Sequence, residues 1–361
     1  MNEPLANRPR LLMLAFACRP DAGSEPGLGW NRALQAAKFL PTWVLCDEEE
    51  NRAPVERYLA QHGAIENLHF IYVPPSRFEQ QLKKWPGLYY PAYNRWHRRA
   101  FRIAQQLHGQ LRFDLMHQLN LCGFREPGYL WKFDSPLVWG PIGGAQNYPW
   151  RFLSLAGIRG ALSESVRNVA NLLQMRFSPR VGRAARKATA MLAANSTNAR
   201  ELAPRRGNGP VEVMVETGVH PLAKAPMRNF HHDGPLRILW SGVMEHRKAL
   251  HILLYALAKL PPDVKYELRI LGRGPLAARW KKLACRLGID VHCQWIGWLD
   301  RSEVAAQYEW ADLFAFTSLR DTTGNVVLES FAAGTPVLCF DHQGMADIVT
   351  GGCGIKIPVS T

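Results

Sequence analysis

Two carboxylates stand close together near the carboxyl terminus, in the segment 318–336. Asp321 and Glu329 are separated by seven residues. Gly334 and Pro336 are predicted to end a short helix, so Asp321 precedes that helix and Glu329 lies about one turn inside it. The two carboxylates would therefore contact different parts of one ligand and would not act as an acid/base pair. The alternative for Glu329 is a carboxylate that only complements the helix dipole.

Two basic residues follow another apolar run. Arg247 and Lys248 come after the predicted strand 236–242 and directly before a predicted helix over 249–260. Cations at a helix start oppose the helix dipole and therefore favour an anionic partner such as a phosphate. The alternative is that both side chains are simply solvated.

Two glycine-rich segments also follow predicted strands. Residues 23–30 (GSEPGLGW) open a helix predicted to begin near Asn31, and residues 272–275 (GRGP), with Gly274 as the candidate ligand contact, precede a helix predicted over 276–287. Glycine lets the backbone approach a ligand closely, and a helix N-terminus binds anions such as a diphosphate. Neither segment is G-x-G-x-x-G, and a tight turn without a ligand is the alternative for each.

These loops are positioned by an alternation of strands and helices. Short apolar runs separated by helix-period stretches indicate parallel sheets that are covered on both faces. The predicted strands are 10–17, 42–46, 67–73, 113–118, 137–141, 189–194, 211–215, 236–242, 266–271, 292–297, 312–317, 336–340 and 353–357. Glycine, proline and polar residues interrupt the pattern near 217–235, which predicts two Rossmann-like domains, 1–217 and 218–361. Ligands bind beyond the carboxyl ends of parallel strands, so we expect the loops to line a cleft between the domains.

The composition excludes several classes of protein. The chain has 361 residues, of which 47% are hydrophobic and 20% charged, as in a globular protein and unlike a disordered or fibrous one. Its seven cysteines form no C-x-x-C and mostly lie in apolar runs. We interpret them as reduced thiols of a cytoplasmic protein, and not as a disulfide framework or a zinc site. No apolar stretch approaches the roughly 18 to 20 residues of a transmembrane helix.

Positive charge is concentrated in the amino-terminal half. The net charge is +14, and residues 77–187 alone carry +13. Such a field attracts nucleic acid, anionic lipid or phosphorylated substrates. Residues 82–103 interleave lysines and arginines with tryptophans and tyrosines, which suits an anionic membrane surface or a lipid diphosphate. Nucleic acid is the less favoured partner, and a solvated helix with its aromatic residues in the core is the alternative.

Together these motifs resemble the family-4 (group 1) retaining glycosyltransferases of the GT-B fold, over nearly the whole chain. The most specific piece is Asp321-x7-Glu329 followed by AAGTPV, which is similar to the family's E-x7-E signature and its A-x-G-x-P-V continuation. The resemblance implies that Glu329 holds the ribose hydroxyls of a nucleotide and that Asp321, in place of the usual glutamate, contacts the donor sugar. Gly324, Asn325 and Val326 would offer backbone N–H groups to the diphosphate and the sugar.

The resemblance extends to the loops that follow the first strand of each domain. Lys248 matches the lysine of the family's Arg-x4-Lys pair, but Val243 stands at the arginine position, and Arg247 is our candidate to compensate. Gly23 and Gly27 are similar to the diphosphate-facing glycines of the family's amino-terminal loop.

His117 resembles the first histidine of the family's H-x-H motif, whereas Leu119 occupies the second position. Two interpretations stay open for His117. It is a catalytic residue that contacts the donor sugar, or it is a histidine at the end of a strand.

The resemblance also implies a mechanism. The sequence contains no D-x-D, the motif that clamps a metal and a diphosphate in the other glycosyltransferase fold, so we expect no metal and no cofactor beside the nucleoside-diphosphate sugar. Lys248, Arg247 and the helix N-termini would stabilise the leaving nucleoside diphosphate. Retention implies a front-face transfer in which the departing phosphate helps to deprotonate the acceptor hydroxyl.

The family setting implies an acceptor on the amino-terminal domain. We expect a lipid-linked or saccharide acceptor in bacterial surface glycan synthesis, and a cytoplasmic enzyme that is peripheral on the inner face of the membrane. Family members usually continue with helices that return to the amino-terminal domain, so the resemblance implies that the carboxyl-terminal domain is incomplete at Thr361.

Two other classes of function share parts of this pattern. A nicotinamide-linked oxidoreductase would use Asp47 after the second strand, but it needs G-x-G-x-x-G, which is missing. A non-catalytic nucleotide-sugar-binding protein or membrane-associated scaffold stays open, favoured by Val243, Leu119 and the position of the chain end.

Overall fold

A computed structural model describes residues 8–85, 88–219 and 233–359 of the chain. The chain folds into two compact units. The amino-terminal unit comprises residues up to 145 together with 172–216, and the carboxyl-terminal unit comprises 146–171 together with the residues from 217 onward. Residues 146–171 thus belong to the carboxyl-terminal unit, whereas the sequence analysis placed them in the amino-terminal domain. The predicted join near 217–235 lies mostly outside the described residues.

The strands form two sheets that are parallel throughout. The first has the order β3-β2-β1-β4-β5-β6-β7 and the second the order β10-β9-β8-β11-β12-β13. The strands are β1 (Leu11–Ala15), β2 (Thr42–Asp47), β3 (Leu68–Val73), β4 (Leu115–Asn120), β5 (Leu137–Ile142), β6 (Ala190–Ala193), β7 (Glu212–Val213), β8 (Leu236–Ser241), β9 (Tyr266–Leu271), β10 (Cys293–Gly297), β11 (Leu313–Phe316), β12 (Val337–Asp341) and β13 (Gly354–Pro358). All thirteen predicted strands are therefore confirmed.

Helices connect most of these strands. The helices are α1 (Ser24–Ala37), α2 (Glu48–His62), α3 (Arg77–Lys83), α4 (Tyr89–Leu111), α5 (Gly157–Phe177), α6 (Pro179–Lys187), α7 (Ser196–Arg206), α8 (Leu250–Leu257), α9 (Ala277–Arg286), α10 (Arg301–Trp310), α11 (Asn325–Ala332) and α12 (Gly344–Ile348). Across the described ranges, no helix combines the length and the apolar composition that crossing a membrane requires.

The central strands of each sheet are buried on both faces, as their apolar sequences predict. In β1, Leu12 and Leu14 belong to one core cluster, whereas the alternate residues Leu11 and Met13 belong to another. Successive side chains of a strand point to opposite faces, so one strand contributes to both layers. In β8 the same alternation divides its buried residues, since Trp240 packs in one cluster and Leu239 in a second.

The first glycine-rich segment differs from its prediction. Helix α1 begins at Ser24, so the prediction of a start near Asn31 was wrong, and Gly27 and Gly29 lie inside the helix. A Cβ on Gly27 would meet the Ala22 carbonyl oxygen at 2.5 Å, and one on Gly29 would meet that of Ala17 at 2.0 Å. The close approach that these glycines permit is therefore to the chain's own backbone.

The aromatic residues of 82–103 divide into two groups. Tyr93 and Trp96, on α4, are buried in the core of the amino-terminal unit, as the alternative interpretation of this segment expected. Trp85, Tyr89 and Tyr90 are exposed. The proposed membrane surface stays a prediction, and only the exposed group could contribute to it.

Candidate active site

The strand order of the second sheet reverses between β8 and β11. Its strand order runs outward from β8 to β10 on one side and from β11 to β13 on the other. The loops that follow two such central strands diverge, and ligands of open parallel sheets bind in the crevice between them. The loop after β8 carries Lys248 and the loop after β11 carries Asp321. The fold therefore places both predicted residues at the position where a ligand of this unit is expected.

Lys248 and Asp321 form a half-buried ion pair. The Lys248 Nζ donates to Asp321 Oδ2, and Ser318 Oγ donates to the same oxygen at 3.1 Å. Burial alone would raise the pKa of the Asp321 carboxyl, but the positive charges of Lys248 and Arg247 outweigh it and hold that pKa below its usual value. Burial lowers the pKa of the Lys248 ammonium, and Asp321 offsets part of this effect. Asp321 is thus an ionised carboxylate that holds the lysine in place.

Arg247 contributes a second cation to this pair. Its Nη1 lies 3.8 Å from Asp321 Oδ2, and its Nε donates to Glu245 Oε2 at 3.0 Å. Val243, which occupies the position of the family's arginine, is 40% exposed. The loop after β8 therefore concentrates two cations beside Asp321, and their binding of a diphosphate stays a prediction.

Helix α11 begins where the sequence analysis expected it. Gly324 precedes the helix with φ +71°, a left-handed conformation that favours glycine, and an added Cβ would meet Met345 Cε at 2.7 Å. Asn325 and Val326 are its first two residues, whose N–H groups have no partner within a helix. The predicted helix start is therefore present in the fold, and its binding of an anion stays a prediction.

Glu329 lies in the second turn of α11 and is half-buried. Its Oε2 accepts a hydrogen bond from the Tyr308 hydroxyl at 3.4 Å. This tyrosine, on α10, is itself 1% exposed, which fixes one side of the carboxylate. Glu329 is not in the first turn, so complementing the helix dipole does not account for its position.

The loop after β9 packs on the loop after β8. The Met244 N–H donates to the Arg273 carbonyl at 2.9 Å, and the Leu276 N–H donates to the Met244 carbonyl at 3.0 Å. A Cβ on Gly274 would approach the Met244 nitrogen to 2.7 Å. The need for glycine at this position thus follows from the contact between two loops, and the role of Gly274 in ligand binding stays a prediction.

In the sheet of the amino-terminal unit, the strand order reverses between β1 and β4. Gly23, which precedes α1, has no atom within 4 Å of the place where a Cβ would lie, so its surroundings are open. Glu25, which the sequence analysis did not single out, accepts from the Cys122 N–H at 3.0 Å. Burial raises the pKa of Glu25, and its Oε2 has no partner within the described residues. This carboxyl joins the start of α1 to the segment that follows β4.

His117 lies inside β4. Its Nε2 is 2.8 Å from the Gly140 carbonyl oxygen, and burial lowers the pKa of the imidazole to about 4. A neutral imidazole that donates to a carbonyl of the neighbouring strand has a structural role without a ligand. This contact favours the interpretation as a strand histidine, and a contact with a sugar stays untested.

Glu164, on α5, joins the loops after β8 and β11. It is 1% exposed, and its two oxygens accept from the Arg320 guanidinium at 3.0 and 2.9 Å. Its Oε1 also lies 2.8 Å from His246 Nε2. Although burial alone would raise it, the pKa of Glu164 falls to about 2 because of these two partners. Since Arg320 precedes Asp321 and His246 lies two residues before Lys248, one carboxylate fixes both loops.

Two amides support the same loop. Gln343 Oε1 accepts from the Asp321 N–H at 2.8 Å, and its Nε2 donates to the Asn147 carbonyl at 2.7 Å. Gln146 Nε2 donates to Thr322 Oγ1 at 2.8 Å. Sequence reasoning missed these residues, Glu164 and Tyr308. They belong to no motif, and only their position in the folded unit reveals them.

Part of the chain is similar to known proteins. Residues 224–358 match the family model described as Glycosyl transferases group 1, and this range includes Lys248, Asp321 and Glu329. The chain is also similar to the lipopolysaccharide core biosynthesis glycosyltransferase LpsE of Rhizobium meliloti, with 36% identity over 31% of each chain. The matched part thus spans about a third of the length of that curated relative.

Solved structures identify the fold. The chain is similar to a structure of the lipopolysaccharide outer core galactosyltransferase WaaB. The match covers 95% of this chain and 84% of the WaaB chain, with a TM-score of 0.62 and 13% sequence identity. It is also similar to the structure of the Anabaena protein HepE in complex with UDP. That match covers 97% of this chain and 86% of the HepE chain, with a TM-score of 0.56 and 15% sequence identity. Together with the two parallel sheets, these similarities show that the chain has the GT-B fold.

Proposed function

We propose that the protein transfers a sugar from a nucleoside-diphosphate sugar to an acceptor hydroxyl with retention of the anomeric configuration, as a family-4 enzyme. The observation that carries this proposal is the group formed by Lys248, Asp321 and the start of α11. This group lies where the strand order of the second sheet reverses. Cations and helix-start N–H groups suit a diphosphate, and in the proposed complex Glu329 accepts from the ribose hydroxyls.

The ion pair connects the residues proposed to contact the two halves of the donor, the sugar and the diphosphate. Asp321 holds the Lys248 ammonium, and Ser318 and Gln343 hold Asp321 in turn. In the proposed reaction Asp321 contacts the donor sugar, while Lys248 and Arg247 face the diphosphate. Such preorganised charges stabilise a leaving group without reorganisation during the reaction.

Retention requires that the new bond form on the face from which the phosphate departs. The bond between the anomeric carbon and the β-phosphate oxygen breaks, and a bond from the acceptor oxygen to that carbon forms. The acceptor proton passes to the departing phosphate oxygen. We propose that this step needs no metal, since Lys248, Arg247 and the start of α11 offset the developing charge.

We further propose a saccharide or lipid-linked acceptor in bacterial surface glycan synthesis, at the cytoplasmic face of a membrane. The names of LpsE and WaaB, which concern lipopolysaccharide, support this setting. The exposed Trp85, Tyr89 and Tyr90 and the charge of +13 over residues 77–187 are consistent with an anionic surface.

Thermal unfolding with UDP, GDP, ADP and their sugars tests the donor site. A ligand present at about 100 times its dissociation constant should stabilise the protein by about 2.7 kcal/mol. We expect one nucleotide to raise the melting temperature of the wild type and of Glu212→Gln, which changes an exposed carboxylate of the other unit. The same nucleotide should have little effect on Glu329→Ala.

Turnover and the anomeric configuration of the product test the proposed transfer with retention. With the selected α-linked donor, the product should show an α-anomeric proton by NMR, whereas a β product would contradict retention. Binding without turnover over a panel of saccharide and lipid acceptors would favour the nucleotide-sugar-binding scaffold. If folded protein responds to no nucleotide, the donor site is wrong.

A further inference from the structure

Helix α5 exposes its apolar residues. Apolar side chains recur along it at intervals of three or four residues, at Ile158, Leu162, Val166, Val169, Leu173 and Phe177. All six are exposed, and Ile158 reaches 90%. Residues spaced in this way share one face of a helix. An apolar stripe therefore runs along nearly the whole length of α5, on its exposed side.

The buried side of the same helix is polar. Its buried residues are Gly160, Glu164, Asn168 and Asn171. The Asn168 side chain accepts from the Tyr148 N–H at 3.0 Å and donates to the Tyr148 carbonyl at 2.8 Å, and Glu164 holds Arg320 and His246. Turning α5 to bury its apolar stripe would break these hydrogen bonds and leave buried polar groups unpaired. The fold therefore holds the stripe outward.

This arrangement is the reverse of an ordinary surface helix, which buries its apolar stripe and exposes its polar residues. Single exposed apolar side chains are common, but a contiguous apolar patch marks an interaction surface. The segment Trp150–Ala156, directly before α5, adds the exposed Trp150 and Leu155. The stripe of α5 is thus a candidate docking surface, and its charged surroundings indicate the partner.

The charge around the stripe is positive. Residues 151–187, all of which the structure describes, include eight lysines and arginines and a single acidic residue, the buried Glu164. Arg159 and Arg176 of α5 are exposed. A second copy of the chain would place arginines against arginines without an exposed carboxylate on this segment, and nucleic acid would leave the apolar stripe uncovered. An anionic bilayer offers both a negative surface and an apolar interior.

We propose that α5 lies in the interface of an anionic lipid bilayer, with its apolar stripe among the acyl chains and its arginines at the headgroups. Trp150 and Phe177, exposed near the two ends of the helix, suit the boundary between headgroups and acyl chains. The proposal rests on the membrane setting proposed above. It names a surface other than the exposed aromatic residues of 82–103, and it does not depend on transferase activity.

Sedimentation of the full chain with lipid vesicles tests this proposal. We expect the wild type to bind vesicles of equal parts phosphatidylglycerol and phosphatidylcholine at least about tenfold more tightly than vesicles of phosphatidylcholine alone. The double variant Ile158→Gln, Leu162→Gln should bind the mixed vesicles about tenfold more weakly or worse, because it removes two apolar side chains from the stripe. Both positions are exposed, so the variant should fold, which circular dichroism verifies.

A matched control and the oligomeric state locate the contact. Val291→Gln removes a highly exposed valine outside α5, so its affinity for the mixed vesicles should equal that of the wild type. If the wild type binds and the double variant binds equally well, the role of α5 is wrong while the membrane setting stands.

If the wild type binds no anionic vesicle, both proposals are wrong. Equal binding to both kinds of vesicle would also overturn the role of α5. Sedimentation velocity without lipid tests the other occupant of the stripe. A wild type that self-associates, beside a double variant that stays monomeric, would show that a second copy covers the stripe and would overturn the proposal.

Discussion

Glu164→Gln is the most informative single change, because this buried carboxylate holds the loops that carry Lys248 and Asp321. Glutamine keeps the shape of the side chain but removes its charge from Arg320 and His246. The pKa of Glu164 is about 2 in the folded protein, against an ordinary value of 4.5. One pKa unit corresponds to about 1.4 kcal/mol, so the ionised form contributes about 3 kcal/mol to folding.

The sign of the pH dependence follows from the lowered pKa. The contribution of Glu164 is fully present above its unfolded pKa of 4.5 and is lost as the pH falls toward 2. We expect Glu164→Gln to be about 3 kcal/mol less stable than the wild type near pH 7. The difference should shrink between about pH 5 and pH 2, because the wild-type carboxyl then takes up its proton.

Urea unfolding of both proteins at a series of pH values measures this difference directly. The exposed Glu212→Gln serves as a matched control, and its stability should stay within about 0.5 kcal/mol of the wild type at every pH. A constant difference in stability between Glu164→Gln and the wild type from pH 7 to pH 2 would refute the conclusion that the ionised Glu164 carboxylate stabilises the folded protein. So would the absence of any difference near pH 7.

The remaining predictions concern the loops, the core, the surface and the metal. Gly274→Ala should cost about 1 to 3 kcal/mol in urea unfolding, because its Cβ would lie 2.7 Å from the Met244 nitrogen. Gly109→Ala, on α4 with open space around it, should instead stabilise the protein slightly. Trp96→Ala should cost about 3 to 5 kcal/mol, since it empties part of the core. Trp85→Ala should leave stability nearly unchanged and weaken sedimentation with anionic vesicles, and equal sedimentation would argue against the membrane surface. Transfer rates should be the same with and without EDTA, whereas a loss restored by magnesium would disprove the metal-free mechanism.

Local patterns of sequence were sufficient for most of the fold. Strands β1 and β8 are short apolar runs that are buried on both faces, and helical periodicity separates such runs. These signals are local because alternation in a strand and the turn of a helix extend over only a few residues. The start of α1 was missed for the opposite reason. Gly27 and Gly29 indicated a loop, whereas contacts with Ala22 and Ala17 make them helical residues that pack closely.

The sequence by itself determined two parallel α/β units, the loops that carry Lys248 and Asp321, and the short helix that carries Glu329. Only the tertiary structure decided that the first two of these residues form an ion pair, because the order of strands in a sheet depends on contacts distant in sequence. It alone revealed Glu164, which lies 82 residues from His246 and 156 from Arg320. A buried carboxylate needs charged partners, and no local pattern shows which loops will supply them.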